Sequence, residues 1–376
     1  MTHIVINAFS AKRGGGITYL NNFLDNITSQ DGFRISVLCY SSQKFEKINT
    51  QARYIKFNNL FSNPVVTRIW EAFCLRYFLN IIKTDVYFSP GGIIDYSLNK
   101  SHFKKVVMFR NMIPFDESQK KKWPFGYTKI RNFLLSRILL KSMKIADLVI
   151  FISKHGKDII LKKTNGNLNK CVLINHGVSK IFRKNTVLPT EEIRDQFDSD
   201  YILYPSIIDV YKSQKEVVMA YEKLLREEIE LPKLFLVGEE YGKYSRDLRK
   251  YIINNGLSNH IILPGPVDHI FMPYIYKKSR FVIYASQSEN CPNILLEAMA
   301  SGKAILCSNF NPMPEFGGKA VEYFDPSNIH DIAEKIKSFL NRDELVKQLE
   351  EMSLEESKNY DWSTTTDKTL KSILNI

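Results

Sequence analysis

Two glutamates, Glu289 and Glu297, stand eight residues apart at the start of an apolar segment. Pro292 suits the first turn of a helix, where its missing N–H has no carbonyl to bond. Glu297 then lies about a turn and a half into that helix, among aliphatic neighbours. A carboxylate in such surroundings needs a partner. The hydroxyls of a ligand, such as a ribose diol, meet this need as well as an internal lysine or backbone amide would.

A second polar loop carries two lysines, Lys212 and Lys215, at the predicted start of a helix that follows a strand over 201–205. Two ammonium groups in this position can neutralise a diphosphate. The helix dipole disfavours cations at a helix N-terminus, which mildly favours a functional reason for them. A solvated surface pair is the simpler interpretation of this feature alone.

The third loop is a glycine turn, Gly14, Gly15 and Gly16, between the first predicted strand and a helix. Glycine lets the backbone approach a phosphate, and a helix N-terminus offers free N–H groups. The turn matches neither the dinucleotide nor the P-loop fingerprint, and a triple glycine is more often a flexible turn. No nucleophile triad and no metal-ligand cluster stands out, and His176 is assigned a structural or exposed role.

The elements that position these loops alternate between β-rich runs and helical patterns, twice over. The predicted strands cover 3–8, 34–40, 85–89, 105–110, 147–152, 170–175, 201–205, 233–238, 260–264, 280–285, 304–308 and 320–324. This order predicts an α/β protein with two doubly wound, Rossmann-like parallel-sheet domains. Ligands of such sheets bind outside the carboxyl ends of the strands. We therefore expect the two domains to face a shared cleft.

Length and composition agree with two domains. The chain has 376 residues, more than the ~250–300 over which a single core usually grows. A polar stretch over 181–200 separates the two strand series, and we predict domains over 1–185 and 196–357 with a closing segment over 358–376. Five scattered cysteines and no apolar run near the ~20 residues that span a bilayer favour a cytosolic, non-secreted protein.

The net charge of +12 is concentrated in one segment. Residues 103–145 hold eleven Lys or Arg against two Asp or Glu, a net charge of +9. Such a segment suits a polyanion: nucleic acid, a phosphorylated substrate or an anionic membrane surface. A merely solvated basic face explains the count equally well.

The segment 265–326 resembles the donor-binding half of family 4 glycosyltransferases, which have the GT-B fold. The resemblance rests on Glu289 and Glu297, an E-x7-E motif continued by EAMASGKAIL, and extends weakly through GGGITYL and YPSIIDVYKSQK. It implies a retaining hexosyltransferase that moves a sugar from a UDP- or GDP-linked donor to a lipid-linked or oligosaccharide acceptor. Surface polysaccharides such as O-antigen, lipopolysaccharide or capsule would be the product.

The resemblance also assigns roles. Glu297 would hold the ribose hydroxyls, Glu289 would face the transferred sugar, and Lys212 would bind the diphosphate. The rest of the donor site would comprise Gly15, Gly16, Gly265, Val267, Asn290 and the backbone N–H groups of Asn293 and Ile294. No metal and no other cofactor is expected. The domain over 1–185 would face acceptor and membrane, the domain over 196–357 would bind the nucleotide sugar, and 358–376 would cross back to the first domain.

Three positions depart from the family pattern. The sequence ENCP at 289–292 replaces Glu-Gly-Phe-Gly, so that Pro292 removes one amide from the sugar pocket. Ser206 stands where an arginine often precedes the phosphate lysine, and we expect Lys215 to supply the missing charge. Arg110 and the following asparagine replace a frequent His-Asp pair. We expect Arg110 to meet an acceptor phosphate rather than to form a structural ion pair.

With such an acceptor, the basic segment is interpreted as a membrane anchor. Lys120, Lys121, Lys122 and Trp123 precede an amphipathic pattern over 127–144, a combination typical of interfacial helices. A second aromatic stretch, WEAFCLRYF, covers 70–78. We expect peripheral binding to the inner face of a bacterial cytoplasmic membrane.

Two other functions compete with this interpretation. A sugar-nucleotide epimerase or phosphorylase would keep the same fold, and a non-enzymatic RNA-binding protein would use the basic segment. The aromatic sheet motif of common RNA modules is missing, so no nucleic-acid partner is expected.

Overall fold

A computed structural model describes residues 1–12, 14–28, 32–45, 49, 51–122, 126–184 and 187–376, with Lys121 and Lys122 described by their backbone alone. The chain forms two compact units. The first comprises Met1–Gly177 together with Asp361–Ile376, and the second comprises Val178–Tyr360. Each unit has its own sheet and its own apolar core.

The described part of the first unit contains a seven-stranded sheet in the order β3-β2-β1-β4-β5-β6-β7. All of its strand pairs are parallel. The strands are β1 Thr2–Asn7, β2 Phe33–Tyr40, β3 Ala52–Phe57, β4 Val86–Ser89, β5 Lys104–Phe109, β6 Leu148–Phe151 and β7 Lys170–Leu173. The inner strands are solid apolar blocks because helices cover both faces of the sheet.

The helices of the first unit begin with α1 Gly15–Asp25, α2 Pro64–Phe73, α3 Leu75–Ile81, α4 Glu117–Lys122, α5 Tyr127–Ile145 and α6 Lys154–Thr164. Short 3-10 turns cover Asn59–Ser62, Tyr96–Lys100 and Ile113–Phe115. Asn63 caps α2 by accepting a hydrogen bond from the N–H of Val65, and Ser153 caps α6 in the same way from Gly156. These caps fix where each helix starts.

Within the described residues, the second unit has a six-stranded parallel sheet in the order β10-β9-β8-β11-β12-β13. Its strands are β8 Tyr201–Pro205, β9 Lys233–Val237, β10 Ile261–Gly265, β11 Val282–Tyr284, β12 Ile305–Ser308 and β13 Glu322–Phe324. Its helices are α7 Glu191–Gln196, α8 Gln214–Arg226, α9 Gly242–Asn254, α10 Met272–Lys278, α11 Asn293–Ala300, α12 Met313–Gly317, α13 Ile329–Asn341 and α14 Asp343–Ser357. The 3-10 turns cover Lys180–Phe182, Val210–Lys212 and His269–Phe271.

The closing helix, α15 Trp362–Leu374, belongs to the first unit and packs against α1. Trp362 is buried, with its ring 5.8 Å from the ring of Tyr19. A Cβ atom at Gly177 would lie 2.2 Å from the backbone nitrogen of Trp362. Only glycine therefore lets the chain pass this close to the start of α15.

The predicted α/β class with two parallel sheets is confirmed. The change of unit comes at Gly177, ahead of the polar stretch over 181–200, because Phe182 and Phe197 in that stretch pack into the core of the second unit. Near the end of the second unit, α13 and α14 are separate helices, since Arg342 between them has non-helical angles of φ −132° and ψ 67°. Among the described residues, no helix combines the length and apolar character needed to cross a membrane.

Candidate active site

The second unit brings two predicted residues together at adjacent strand ends. Strands β8 and β11 are parallel neighbours, so the loops that follow them lie side by side. The 3-10 turn after β8 ends with Lys212 and is capped by Asp209, whose side chain accepts from the N–H of Val210. The loop after β11 carries Glu289. The Lys212 ammonium group donates to Oε1 of Glu289.

The Lys212–Glu289 ion pair is largely buried, with side-chain exposures of 6% and 16%. Two hydroxyls also donate to the same carboxylate oxygen: Tyr284 at 2.6 Å and Ser286 at 2.7 Å. Three donors thus converge on Oε1 of Glu289. Among the described residues no hydrogen bond uses Oε2, so this oxygen is available to a ligand.

Tyrosines surround the pair, and sequence reasoning selected none of them. The rings of Tyr211 and Tyr284 lie 5.0 and 5.3 Å from the Lys212 ammonium nitrogen, within cation–π range. The hydroxyl of Tyr204 donates to the backbone carbonyl of Lys212 and accepts the N–H of Ala285 at 3.2 Å. Burial and the charge of Glu289 raise the pKa of Tyr284 well above its usual value, so its hydroxyl stays protonated.

The second glutamate, Glu297, lies in α11 with a side-chain exposure of 16%. Its Oε1 is 3.0 Å from Nε2 of His269, which is half exposed, and its Oε2 is 3.4 Å from the Tyr276 hydroxyl. Its partners are therefore a half-exposed histidine and a buried tyrosine, neither the internal lysine nor the backbone amide considered from the sequence. The only sequence signal for His269 is its place just after β10, in GPVDHIF.

At the start of α11, one of the two predicted phosphate amides is already hydrogen-bonded within the chain. The N–H of Asn293 donates to the carbonyl of Cys291 at 3.0 Å, and Ile294 follows in the first turn, where amides lack helical partners. Asn290 is buried. The side-chain oxygen of Asn293 is also buried and has no hydrogen-bond partner in the described part of the chain.

The other predicted donor residues of the second unit lie around neighbouring strand ends. Gly265 ends β10 with φ +86° and accepts from the N–H of Gly238 at 3.0 Å. Val267 is partly buried against the core. The Lys215 ammonium lies 5.7 Å from the ring centre of Tyr251 and takes no part in the Lys212–Glu289 contacts. The hydroxyl of Ser206 is buried and unpartnered within the described residues.

In the first unit, the structure brings Arg110 to the glycine turn. Its guanidinium donates to the carbonyl of Gly15 at 3.0 Å and lies 3.5 Å from that of Gly16. It also lies over the ring of Tyr19, at 5.5 Å from the centre. Burial lowers the pKa of Arg110 to about 10, so it remains charged at neutral pH. No carboxylate within the described ranges pairs with it.

His176 lies in the same cluster and serves packing. Its ring is 5.2 Å from that of Tyr19 and 5.3 Å from that of Trp362. Both ring nitrogens are buried without a hydrogen-bond partner among the described residues. Burial, together with the charge of Arg110, lowers its pKa to about 3, so the ring is neutral.

The predicted anchor is described in part. Lys120 pairs with Glu117 at 2.9 Å, while the side chains of Lys121 and Lys122 and the whole of Trp123 lie outside the described residues. In the second aromatic stretch, Trp70 packs inward against a cluster of phenylalanine rings.

Within the described ranges, no group of three or more His, Cys, Asp or Glu side chains is arranged to hold a metal ion.

Solved structures place the chain in the GT-B class. It matches sucrose-phosphate synthase from Thermosynechococcus elongatus with a TM-score of 0.78 at 14% identity, over 99% of this chain and 98% of that one. It also matches Anabaena HepE, solved with UDP-glucose, with a TM-score of 0.74 at 14% identity over 100% of both chains. At such identities the likeness defines the fold.

The sequence comparisons add the family. Residues 190–355, which lie within the second unit, match the family Glycosyl transferases group 1. A relative, O-antigen chain mannosyltransferase B from Escherichia coli, is 23% identical over 304 residues, covering 80% of this chain and 76% of that protein.

Proposed function

We propose that this protein is a retaining glycosyltransferase that moves a sugar from a UDP- or GDP-linked donor to a lipid-linked or oligosaccharide acceptor in surface-polysaccharide synthesis. The observation that carries the proposal is the buried Lys212–Glu289 pair at the adjoining ends of β8 and β11, with Glu297 in the helix that follows. The match of residues 190–355 to Glycosyl transferases group 1 and the similarity to the O-antigen relative support it. HepE, solved with UDP-glucose, supports a nucleotide sugar as donor.

In the proposed reaction, the Lys212 ammonium and the first-turn amide of Ile294 in α11 bind the donor diphosphate, while the N–H of Asn293 is already bonded to the carbonyl of Cys291. Lys212 and the Ile294 amide stabilise the charge that grows on the leaving phosphate oxygen as its bond to the sugar breaks. Glu297 accepts the ribose hydroxyls, while Oε2 of Glu289 accepts a hydroxyl of the transferred sugar. In the first unit, Arg110 and the turn at Gly15 and Gly16 are assigned to phosphate groups of the substrates.

The proposed chemistry needs no enzyme nucleophile. The acceptor hydroxyl forms its bond to the anomeric carbon on the face that the leaving phosphate vacates, which retains the configuration. Its proton passes to the leaving phosphate oxygen, so that a nucleoside diphosphate and a glycoside are the products. Because Lys212 and a helix amide offset the phosphate charge, we propose that no metal is required.

A thermal-shift panel of UDP- and GDP-sugars tests the proposal, run with and without EDTA. We expect one donor to raise the melting temperature of the wild type equally in both buffers. Glu297→Ala should lose the shift, because the ribose diol loses its acceptor. The matched control is Glu355→Ala, which removes a carboxylate with 73% side-chain exposure from α14. No shift by any donor, or an unchanged shift in Glu297→Ala, contradicts the proposal.

The first unit carries a face that suits the proposed lipid-linked acceptor. Helices α2 and α3 expose a row of apolar side chains at four-residue spacing: Val65, Ile69, Phe73, Tyr77 and Ile81. Helix α5 exposes a second row: Ile130, Phe133, Leu134 and Ile138. Both α2 and α5 pack against the turn Tyr96–Lys100, so the two helices lie close to each other.

Cations flank both rows. Arg76 lies in α3 with the first row, and Arg131, Arg137 and Lys141 lie in α5 with the second, while Arg68 of α2 pairs with Glu71 at 2.7 Å. The only carboxylate of α2, Glu71, is buried. Apolar rows edged by cations match the interface of an anionic bilayer. We propose that this face places the protein peripherally on the cytoplasmic side of a bacterial inner membrane.

A further inference from the structure

Tyr284, the last residue of β11, is a buried tyrosine whose hydroxyl contacts Glu289, the carboxylate proposed to bind the transferred sugar. It is 1% exposed, and its hydroxyl donates to Oε1 of Glu289 at 2.6 Å. The same hydroxyl lies 3.4 Å from the Lys212 ammonium. A phenylalanine would fill the same apolar space, and burying a hydroxyl is costly without a hydrogen bond. The hydroxyl therefore needs a reason beyond packing.

The distribution of donors around Glu289 supplies that reason. An ionised carboxylate offers about four acceptor positions on its two oxygens, yet Lys212, Tyr284 and Ser286 all donate to Oε1. Concentrating the donors on one oxygen fixes the rotation of the carboxylate. Oε2 is then held in one direction, ready to accept a hydroxyl.

The three donors differ in what happens to them when a diphosphate arrives. The Lys212 ammonium is attracted to the phosphates and can leave Glu289. Tyr284 and Ser286 carry no charge that a phosphate would attract, and both are buried. Burial raises the pKa of Tyr284, so its hydroxyl keeps its proton and remains a donor.

We propose that Tyr284, assisted by Ser286, is the positioning residue that keeps Glu289 oriented toward the donor sugar after Lys212 has moved to the diphosphate. This inference rests on the proposed glycosyltransferase function. It adds to the site a residue outside the E-x7-E motif that acts through Glu289. Tyr284 touches no reacting atom itself.

Steady-state kinetics of Tyr284→Phe test this role, with Tyr201→Phe as the matched control. Tyr201 is a buried tyrosine of β8 whose hydroxyl donates to the carbonyl of Ile275 at 2.7 Å, so its variant also loses one buried hydrogen bond. We expect Tyr284→Phe to lower kcat about tenfold or more, the effect of one hydrogen bond to a charged group. The donor KM should change little, and Tyr201→Phe should keep its kcat.

A double-mutant cycle shows whether Tyr284 acts through Glu289. In a Glu289→Gln background, Tyr284→Phe should cost no further activity, because the group that it positions is already gone. If Tyr284→Phe folds poorly, Ser286→Ala tests the same idea, because it removes another hydrogen bond to Oε1 of Glu289. Its loss of kcat should be smaller, and no such loss should be seen in the Glu289→Gln background.

The outcomes separate the two hypotheses. An active wild type whose Tyr284→Phe variant keeps the kcat of Tyr201→Phe overturns the positioning role alone. The positioning role is also overturned if Tyr284→Phe lowers kcat in the Glu289→Gln background by the same factor as in the wild type. A wild type that turns over no sugar nucleotide overturns the proposed function and, with it, this inference.

Discussion

At the level of single residues, the second unit concentrates its polar chemistry on Glu289. The carboxylate is bonded to a lysine and two hydroxyls through one oxygen, while its other oxygen has no hydrogen bond among the described residues. A group held in this way can respond to a ligand without reorganising. Its removal should therefore affect the reaction more than the binding of the donor.

We expect Glu289→Ala to bind the donor and to lose about a hundredfold in kcat, the usual loss when one preorganised contact is removed from an active site. Isothermal titration calorimetry measures the donor affinity, and product formation measures kcat. The exposed Glu355→Ala variant should keep both values. Full turnover by Glu289→Ala would remove this residue from the reacting face.

The sequence indicated which loops of the second unit carry polar residues, but it did not indicate the hydrogen-bond partners of those residues. The pairing of Lys212 with Glu289 follows from two loops that a parallel sheet places side by side. The contact between His269 and Glu297 does not, because nothing in the local pattern of either residue points to the other. Tyr204 and Tyr284 were missed for a related reason: within a strand, a tyrosine that packs and a tyrosine that donates a hydrogen bond look alike.

At the level of elements, patterns of apolar blocks predicted the inner strands to within one or two residues at most ends. Strand β3 was missed because its sequence, ARYIKF, places Arg53 and Lys56 in an edge strand that is only half-buried. An edge strand needs one apolar face, so it carries no continuous apolar block. The sequence did not predict the exposed apolar rows of α2, α3 and α5 either, since their exposure depends on which side of each helix packs against the sheet.

These rows lead to a prediction for membrane binding. We expect the wild type to float with vesicles containing phosphatidylglycerol at low salt, and Phe73→Asp to float poorly, because a carboxylate would enter the centre of the apolar row. Phe73 is 82% exposed, so the substitution should leave the fold intact. Vesicle flotation followed by densitometry gives the bound fraction.

The control for flotation is Leu354→Asp, an equally drastic change at an exposed position of α14 in the second unit. It should float like the wild type. If the wild type stays at the bottom of the gradient with anionic vesicles, the membrane proposal is wrong.

For the whole molecule, the alternation of strands and helices was sufficient to predict two parallel-sheet units. The point where the chain passes from one to the other was harder to locate. Its polarity made the stretch over 181–200 the predicted boundary. In the structure the first unit ends at Gly177, where the backbone passes close to that of Trp362. A glycine required by a contact with a residue far along the chain has no local signature.

The stability of the molecule should depend on pH through His176. Its pKa is about 3 in the folded chain, against a usual 6.5, so between these values the unfolded chain binds more protons. The contribution of neutral His176 to the free energy of unfolding should therefore be complete above about pH 6.5. It should fall as the pH decreases toward 3. At pH 5.5 the contribution of this histidine is a loss of about 1 kcal/mol.

Urea unfolding at pH 7.5 and 5.5 measures this effect. His176→Gln should lose less stability between the two pH values than the wild type does, whereas His260→Gln, at an exposed position, should behave like the wild type. Equal losses in all three proteins would show that His176 is not the titrating group.

The path of the chain also sets an order for its biosynthesis. The second unit is one continuous stretch whose ends meet, since the N–H of Val178 donates to the carbonyl of Tyr360 at 3.1 Å. The first unit is interrupted and takes its closing helix, α15, from residues that follow the second unit in the chain. During translation, the second unit can thus reach its native state before the first unit does. The first unit remains incomplete until Trp362 has been synthesised and packs against Tyr19 and His176.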